Sequence, residues 1–388
     1  YTVGSTGFKV KEGYTLTIGK DAVLNFENDD AKITIEGTLI IEEGVTINMS
    51  RDSYILVEEN GQLVINGTES NMVTIQGESW EKNTNNSNGP GIELNSTVAS
   101  SIKYANIINS NVDNYEWMIS IRDASTIENS NISGGKTGIG IWNEGSIINS
   151  KIHNFKRYTL VLGGRSTATG NEIYDTGFEE PNGNIVRLEG QNTFKNNRIY
   201  SSTNSTASIA LAVDGDAVVE NNTIGGSTGQ HGHVGISIAY DRNASIKYNN
   251  IGGYLANVVV HGFGSGNQQN YVFTDNSFVG NLTGNQRHVV VYDGGNRTDW
   301  HTTNLPNYTR GGQEFDTERV NFENNYWGTT DKSVIDDAIQ DSEDDLTFDV
   351  NGYIDFDPIN TSASTSSPIA SPNNLTKAVD PDTNDPVL

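Results

Sequence analysis

Cysteine is absent from the 388 residues, proline is scarce at 8, basic residues number only 24 against 49 acidic ones, and no long apolar run occurs. Without cysteine there is neither a disulfide framework nor a thiolate metal site, and redox compartment cannot be read from cysteine usage. No stretch approaches the roughly 18 apolar residues of a membrane span, and the N-terminus lacks the basic and apolar blocks of a signal peptide. The formal charge of −25 argues against nucleic acid and anionic membrane surfaces, because no basic stripe exists to replace counterions. Cations, neutral glycans and other protein surfaces remain as partners, and the charge also reads simply as solubility, for instance in a salty medium. What the chain does have is 41 glycines and abundant asparagine, the composition of many short strands joined by tight turns. Tyr1 stands where a primary product has Met, and the expectation is a processed, exported chain.

A seven-residue segment recurs in one register: NIINSNV from Asn106, TIENSNI from Thr126, SIINSKI from Ser146, TATGNEI from Thr167, TFKNNRI from Thr193, VVENNTI from Val218, SIKYNNI from Ser245, VFTDNSF from Val272 and NFENNYW from Asn321. Steps are roughly 20 to 27 residues, the spacing of a solenoid, except the last, about twice as long, which must hold an extra coil or an insertion. The second position is Ile107, Ile127, Ile147, Ala168, Phe194, Val219, Ile246, Phe273 and Phe322; the seventh is Val112, Ile132, Ile152, Ile173, Ile199, Ile224, Ile251, Phe278 and Trp327. Two apolar columns flanking a polar pair mean two short strands meeting at a bend, both facing inward.

Between the columns lie Ser110, Ser130 and Ser150, then Asn171, Asn197, Asn222, Asn249, Asn276 and Asn325. Such amides can bond to one another and to the turn backbone at each step of ~4.8 Å, which makes this a structural ladder. Ahead of the segments runs a further alternating strand: Ile119 and Ile121, Ile139 and Ile141, Leu160 and Leu162, Val186 and Leu188, Leu211 and Val213, Ile236 and Ile238, Val258 and Val260. These form a third wall of the same core.

The first hundred residues repeat the theme. Lys20-Asp-Ala-Val-Leu-Asn-Phe26 aligns 22 residues on with Glu42-Glu-Gly-Val-Thr-Ile-Asn48, and Ile33-Thr-Ile-Glu-Gly with Ile55-Leu-Val-Glu-Glu. About thirteen coils at ~4.8 Å each give an axial length near 60 Å. The expected fold is all-β, a single-stranded right-handed parallel β-helix with a short C-terminal capping helix.

From Val10 to Pro358 the chain resembles the pectin-lyase-like, right-handed parallel β-helix repeat proteins of archaeal and bacterial surfaces and secretions. The resemblance rests on the G-x-L-x-I and E-G-V-T-I coils between Gly37 and Ile47 and on Asn324-Asn-Tyr-Trp-Gly328. It implies that the latter element closes the last coil, with a short helix and a final hydrophobic segment over the open end. Thr330 to Ile339 has helical spacing at Val334, Ile335, Ala338 and Ile339, and Tyr353 to Pro358 supplies the closing piece. The expected organisation is an N-terminal segment or cap over 1–13, the β-helix over 14–328, a C-terminal cap over 329–359 and a Ser/Thr/Pro-rich tail over 360–388.

Chemistry has several candidate places. Glu189, Asp214, Asp241, His261 and Asp293 are expected at one equivalent site on consecutive coils, which can be ordinary strand-ending turns, a Ca²⁺ site at Asp214 and Asp241, or the acid and base of a glycan-cleaving site at Asp214, Asp241 and Asp293. No cofactor is required, and Ca²⁺ is the candidate ion. Arg187 and Arg242 lie nearby, but basic residues are too scattered for a groove that binds an anionic polysaccharide. His231 and His233 lack an identifiable third ligand. Trp300, His301, Tyr308 and Arg310, in the insertion from Asn296 to Arg319, form the expected contact surface, and Trp142, Trp300 and Tyr308 are candidate sugar platforms. Sequons stand at Asn48, Asn66, Asn85, Asn95, Asn131, Asn204, Asn221, Asn243, Asn281, Asn296, Asn307, Asn360 and Asn374.

The expectation is a non-catalytic extracellular protein of the cell envelope, a subunit of a surface layer, sheath or filament or an adhesin. It would be glycosylated and self-associating, with surface polysaccharide as a further partner. The alternatives are a polysaccharide hydrolase or lyase, or a carbohydrate-binding protein, using a lateral groove. The fold hosts all of these, so it names no reaction.

Overall fold

The computed structural model describes residues 1–84, 87–110, 117–177, 184–200, 209–225, 234–239, 242–261, 270–280, 282, 286–292, 318–341, 352–364, 378–379 and 386–387. Among them the chain winds through three parallel sheets of 12, 13 and 11 strands, each strand pairing with its equivalents one coil before and after. Most strands are three to six residues long because only two or three side chains per wall fit between turns.

The apolar columns are the registers of these sheets. Ile127, Ile147, Ala168, Phe194, Val219, Ile246 and Phe273 follow one another in the 11-stranded sheet. Ile132, Ile152, Ile173, Ile199, Ile224, Ile251 and Phe278 do so in the 12-stranded sheet. Ile139, Leu160, Val186, Leu211, Ile236, Val258 and Val289 line the 13-stranded sheet. All are buried in one continuous core. Each such side chain contributes of the order of 2 kcal/mol relative to exposure, so stability accumulates coil by coil.

The bend between the 11- and 12-stranded sheets needs one residue at positive φ. Asn129, Asn149, Asn196, Asn221, Asp275 and Asn324 take φ between 48° and 59°, and Gly170 and Tyr248 occupy the same place at 71° and 59°. Asparagine and aspartate tolerate this left-handed region better than other side chains. The next residue points inward and builds the ladder. Asn171, Asn197, Asn222, Asn249, Asn276 and Asn325 are fully buried, and each Oδ1 from Asn197 onward accepts the backbone N–H of the preceding Asn at 2.8–3.0 Å.

Several expected registers differ. Ile107 pairs with Ile132, and Ile102 pairs with Ile127, so the first segment begins at Ser101 rather than Asn106. The ladder position is Ala105, whose N–H reaches Ser130 Oγ at 3.1 Å, while Ser110 is exposed at the end of an extended strand, Ala105–Ser110. That strand doubles the usual length and so imitates a second segment; Val112 lies outside the described residues. In the first coils Leu24 pairs with Ile47, a step of 23 rather than 22, because period-two alternation must keep Leu24 and Ile47 on the same face. Residues 1–13, expected as a cap, already carry the first strands of two sheets, Thr2–Val3 and Gly7–Val10.

At the far end, Asn276 N–H bonds directly to Asn325 Oδ1 at 2.8 Å, so the double-length step holds an insertion between Tyr292 and Glu318 and no extra ladder rung. The helix α1 is shorter than its spacing predicts, Lys332–Asp336, capped by Asp331. Ile335 is buried but Val334 is 50% exposed, and Ile339–Gln340 leaves the helix to become the last strand of the 13-stranded sheet beside Val289. Glu318–Asn321 pairs in parallel with Gly352–Asp355. Trp327 packs on Phe278 with ring centroids 4.5 Å apart and planes tilted by 31°, and meets Phe356 edge-on at 6.0 Å, closing the apolar interior.

Candidate functional site

The expected acidic column lies where strands of the 13-stranded sheet run into their turns. Glu189 and Asp214 are equivalent there, their N–H groups bonding to Leu162 O and Leu188 O at 2.8 Å each. Val213 pairs with Ile238, so the next place belongs to Ala239, followed in register by His261 and Tyr292. Asp241 and Asp293 fall past this column and lie outside the described residues. The strands Val234–Ala239 and Arg287–Tyr292 are one residue longer than Ile209–Val213, which pushes the turn residues away from the position that spacing alone assigns.

Arg187 Nε lies 2.8 Å from Asp214 Oδ2 and 3.1 Å from Glu189 Oε1. The two carboxylates thus share one guanidinium instead of sharing a proton or facing each other across a substrate. Arg187 thus neutralises the carboxylate of Asp214, and Asp241, the other expected Ca²⁺ ligand, lies outside the described residues. Among the described residues no three or more His, Cys, Asp or Glu side chains come together as a metal-binding group. His231, His233, Trp300, His301, Tyr308 and Arg310 lie outside the described residues.

Trp142 stands on the outer face of the same sheet, packed edge-on against Trp117 with centroids 5.5 Å apart and planes at 78°. Both indoles cover Gly140, where a Cβ would come within 2.9 Å of Trp142 and 3.0 Å of Trp117. Part of the expected sugar platform at Trp142 is therefore used in packing. Farther along, Ile209, Ala212, Val234, Ala256, Val259 and Val290 form a second buried apolar cluster, separate from the central core.

Two features escaped the sequence reading. The first is another polar ladder: Ser100 N–H bonds to Ser125 Oγ at 2.7 Å, and Ser166 and Asn192 reach backbone carbonyls of the preceding coil. The second is an aromatic stack on the outside of the 12-stranded sheet, His153 on Tyr174 at 4.7 Å and Tyr174 on Tyr200 at 5.2 Å, with interplanar angles of 7° and 2°. The signal was the residue directly after each inward isoleucine: Ile152-His153, Ile173-Tyr174, Ile199-Tyr200. Burial lowers the His153 pKa and raises those of Tyr174 and Tyr200, which keeps the stack neutral.

Asn66, Asn95 and Asn243 are exposed sequon asparagines. Asn48 donates to Asn25 Oδ1 and accepts from Gln76, Asn131 Oδ1 meets His153 Nε2, and Asn360 donates to Asn324 O. Asn221 sits at φ 56° with its Oδ1 buried. Asn85, Asn204, Asn281, Asn296, Asn307 and Asn374 lie outside the described residues.

Residues 137–326 match a protein-family profile described as a right handed beta helix region. No curated protein and no solved structure gives a match. Among the described residues no helix is long and apolar enough to cross a membrane.

Proposed function

Since the chain is a right-handed parallel β-helix repeat protein, we propose that it is a non-catalytic structural component of the cell envelope, exported, glycosylated and self-associating in a surface layer, sheath or filament. The observation that carries this reading is the fate of the one described pair of carboxylates in the lateral column. Glu189 and Asp214 are both held by Arg187, which makes them a cross-link between coils. Hydrolysis or elimination needs an acid or base that exchanges protons with a substrate, and a carboxylate clamped to a guanidinium is poorly suited to that.

The remaining support is mechanical. Coils are tied along the axis by apolar columns, by buried amides and by ion pairs between neighbouring rungs, such as Lys103 with Glu128 and Lys195 with Glu220. A rod built this way resists bending and offers long repetitive sides for lateral contact. Its charge of −25 opposes association at low ionic strength, so assembly should depend on salt or divalent cations.

Sedimentation and negative-stain imaging of the chain, in low salt and with added NaCl or CaCl₂, test the proposal. Reversible growth of ordered polymers or arrays on raising cation concentration is the expected result. A strictly monomeric chain under all these conditions would refute self-association. Glycan turnover abolished by Asp214→Ala would replace the structural reading with the enzymatic one.

A further inference from the structure

The outer face of the 11-stranded sheet is the most regular side of the rod. From Thr126 to Glu220 each of its strands has three residues, follows the 13-stranded sheet after four residues and leads to the 12-stranded sheet after two. The connections of variable length in these coils all run from the 12- to the 13-stranded sheet, away from this face. Two columns of side chains point outward on either side of the buried apolar one. The first is Ser101, Thr126, Ser146, Thr167, Thr193 and Val218, and the second is Lys103, Glu128, Ile148, Thr169, Lys195 and Glu220. All of these residues are partly or fully exposed.

The second column reads plus, minus, two neutral rungs, plus, minus. Turned end for end it reads minus, plus, two neutral rungs, minus, plus, which is opposite in sign at every charged rung. A two-fold axis across the rods, midway between Ile148 and Thr169, therefore sets Lys103 of one copy opposite Glu220 of another, Glu128 opposite Lys195 and Ile148 opposite Thr169. The same axis lays the first column on itself, with Thr126 opposite Thr193 and Ser146 opposite Thr167. A slip of one rung either way places Lys103 opposite Lys195 or opposite Lys247, the rung after Glu220, so like charges exclude those registers. Rods running in the same direction would face the charged column with the hydroxyl column and leave the charges unmatched.

We propose that this face is the lateral contact between copies of the chain, two rods lying antiparallel with their 11-stranded sheets together in that register. The contact rests on the self-association proposed above and names its surface. Lys103 and Lys195 balance Glu128 and Glu220, so the strip is neutral although the chain carries −25. Salt limits the reach of the overall charge to ~8 Å at 0.15 M, while the facing pairs meet at side-chain contact. The exposed sequons Asn66 and Asn243 lie one rung outside either end of the strip. Six rungs span ~24 Å by ~10 Å, well below the ~800 Å² per partner of a standard interface, so a single pair is weak and an array gains strength by repetition.

The chain has no cysteine, so introduced thiols report contacts without background. Thr126→Cys and Thr193→Cys chains, mixed in the salt that promotes association and treated with a short bis-maleimide, should give a cross-linked dimer. Either chain alone should not, because equal residues then stand three rungs, ~14 Å, apart along the rods. A second test exchanges all four charges, Lys103→Glu, Glu128→Lys, Lys195→Glu and Glu220→Lys, which retains the ion pairs within the rod and should retain the melting temperature. Sedimentation of fluorescently labelled mixtures should show this variant associating with itself as the parent does, and about tenfold more weakly with the parent. Cross-linking of either cysteine chain alone, no cross-link in the mixture, or equal association of exchanged and parent chains, in material that does associate, would overturn this contact and leave self-association standing. A chain that stays monomeric in every condition would remove self-association and this contact with it.

Discussion

The side-chain amide of Asn222 donates to Asn249 Oδ1 at 2.9 Å, and the backbone N–H of Asn222 reaches that same oxygen at 2.9 Å. One carbonyl oxygen thus satisfies two buried donors from the coil before it. Asn249 in turn donates to Asn276 Oδ1 and to the carbonyls of Val219 and Lys247. The turn backbone has no water to bond to at this depth, so the ladder replaces solvent for a segment that sheet pairing cannot reach.

Replacing Asn249 by Ala should destabilise the chain by roughly 2–4 kcal/mol, because the buried Asn222 N–H and one of the two Asn222 amide hydrogens lose their acceptor, the other hydrogen staying with Phe194 O. Asn249→Ser should fall between the parent and the alanine variant. Serine already fills this place at Ser130 and Ser150, where Ser150 Oγ accepts the Ser130 N–H at 3.1 Å and donates to Ile148 O. Urea midpoints ranked Asn above Ser above Ala are the expected outcome; equal midpoints for Asn and Ala would show that the ladder adds nothing.

This column was legible in the sequence because its occupants are chemically uniform and recur at one offset from an isoleucine. The parts that were misplaced share a different cause. Asn106 to Val112 copies the pattern within an over-long strand, and only pairing with the next coil distinguishes Ile102 from Ile107 as the partner of Ile127. The acidic column holds at Glu189, Asp214 and His261 but not between them: Asp241 is an acidic residue near the right spacing, and the extra strand residue Ala239 takes the position opposite Asp214. The aromatic stack went unnoticed because outward positions vary freely, and His153, Tyr174 and Tyr200 share shape rather than identity. Each error is one or a few residues in register, which reverses or shifts a side chain while leaving the apolar columns intact.

Tyr248 should be improvable. It occupies the left-handed place that asparagine, aspartate or glycine fills in the neighbouring coils, at φ 59°, where a bulky side chain is strained by about 1 kcal/mol. Tyr248→Asn should raise the thermal midpoint, by an amount equivalent to roughly 0.5–1 kcal/mol, without altering the far-UV spectrum. A lower midpoint would mean that the ring makes compensating contacts.

His288 should make the closing end of the rod sensitive to acid. It is 5% exposed, its Nδ1 faces Asn257 Nδ2 at 2.8 Å, and its ring stacks on Phe278 at 4.9 Å. Burial lowers its pKa to about 4. The unfolded chain, with an ordinary histidine pKa near 6.5, takes up the proton first as pH falls, so this contribution is complete above about pH 6.5 and lost progressively down to about pH 4. The loss amounts to about 3 kcal/mol if the pair is otherwise undisturbed. Carboxylates also titrate toward the lower end of this window, so the measurement is the difference between the parent and His288→Asn. Stability of the variant should fall less steeply between pH 6.5 and pH 4; parallel curves would assign the acid response elsewhere.

Sequon occupancy should follow the geometry of the amide. Transfer of a glycan requires an asparagine Nδ2 that can leave its hydrogen bonds and enter another protein's active site. Asn66, Asn95 and Asn243 are exposed and can do so in the folded chain. Asn48 is the middle member of a side-chain chain running from Asn25 to Gln76, at 2.7 Å and 3.0 Å, and Asn131 is tied to His153 at 2.8 Å, at the start of the aromatic stack. A glycan at Asn131 would crowd the ring beside it, and one at Asn48 would break two bonds between coils. Intact-glycopeptide mass spectrometry of protein from its native source should therefore find Asn66, Asn95 and Asn243 occupied, and Asn48 and Asn131 bare. Modification after folding predicts this contrast strictly, whereas modification of the nascent chain would ignore it. Full occupancy at Asn48 and Asn131 would show that glycans are added before the coils close, and their retention would require the side-chain chain and the stack to be open in the mature protein.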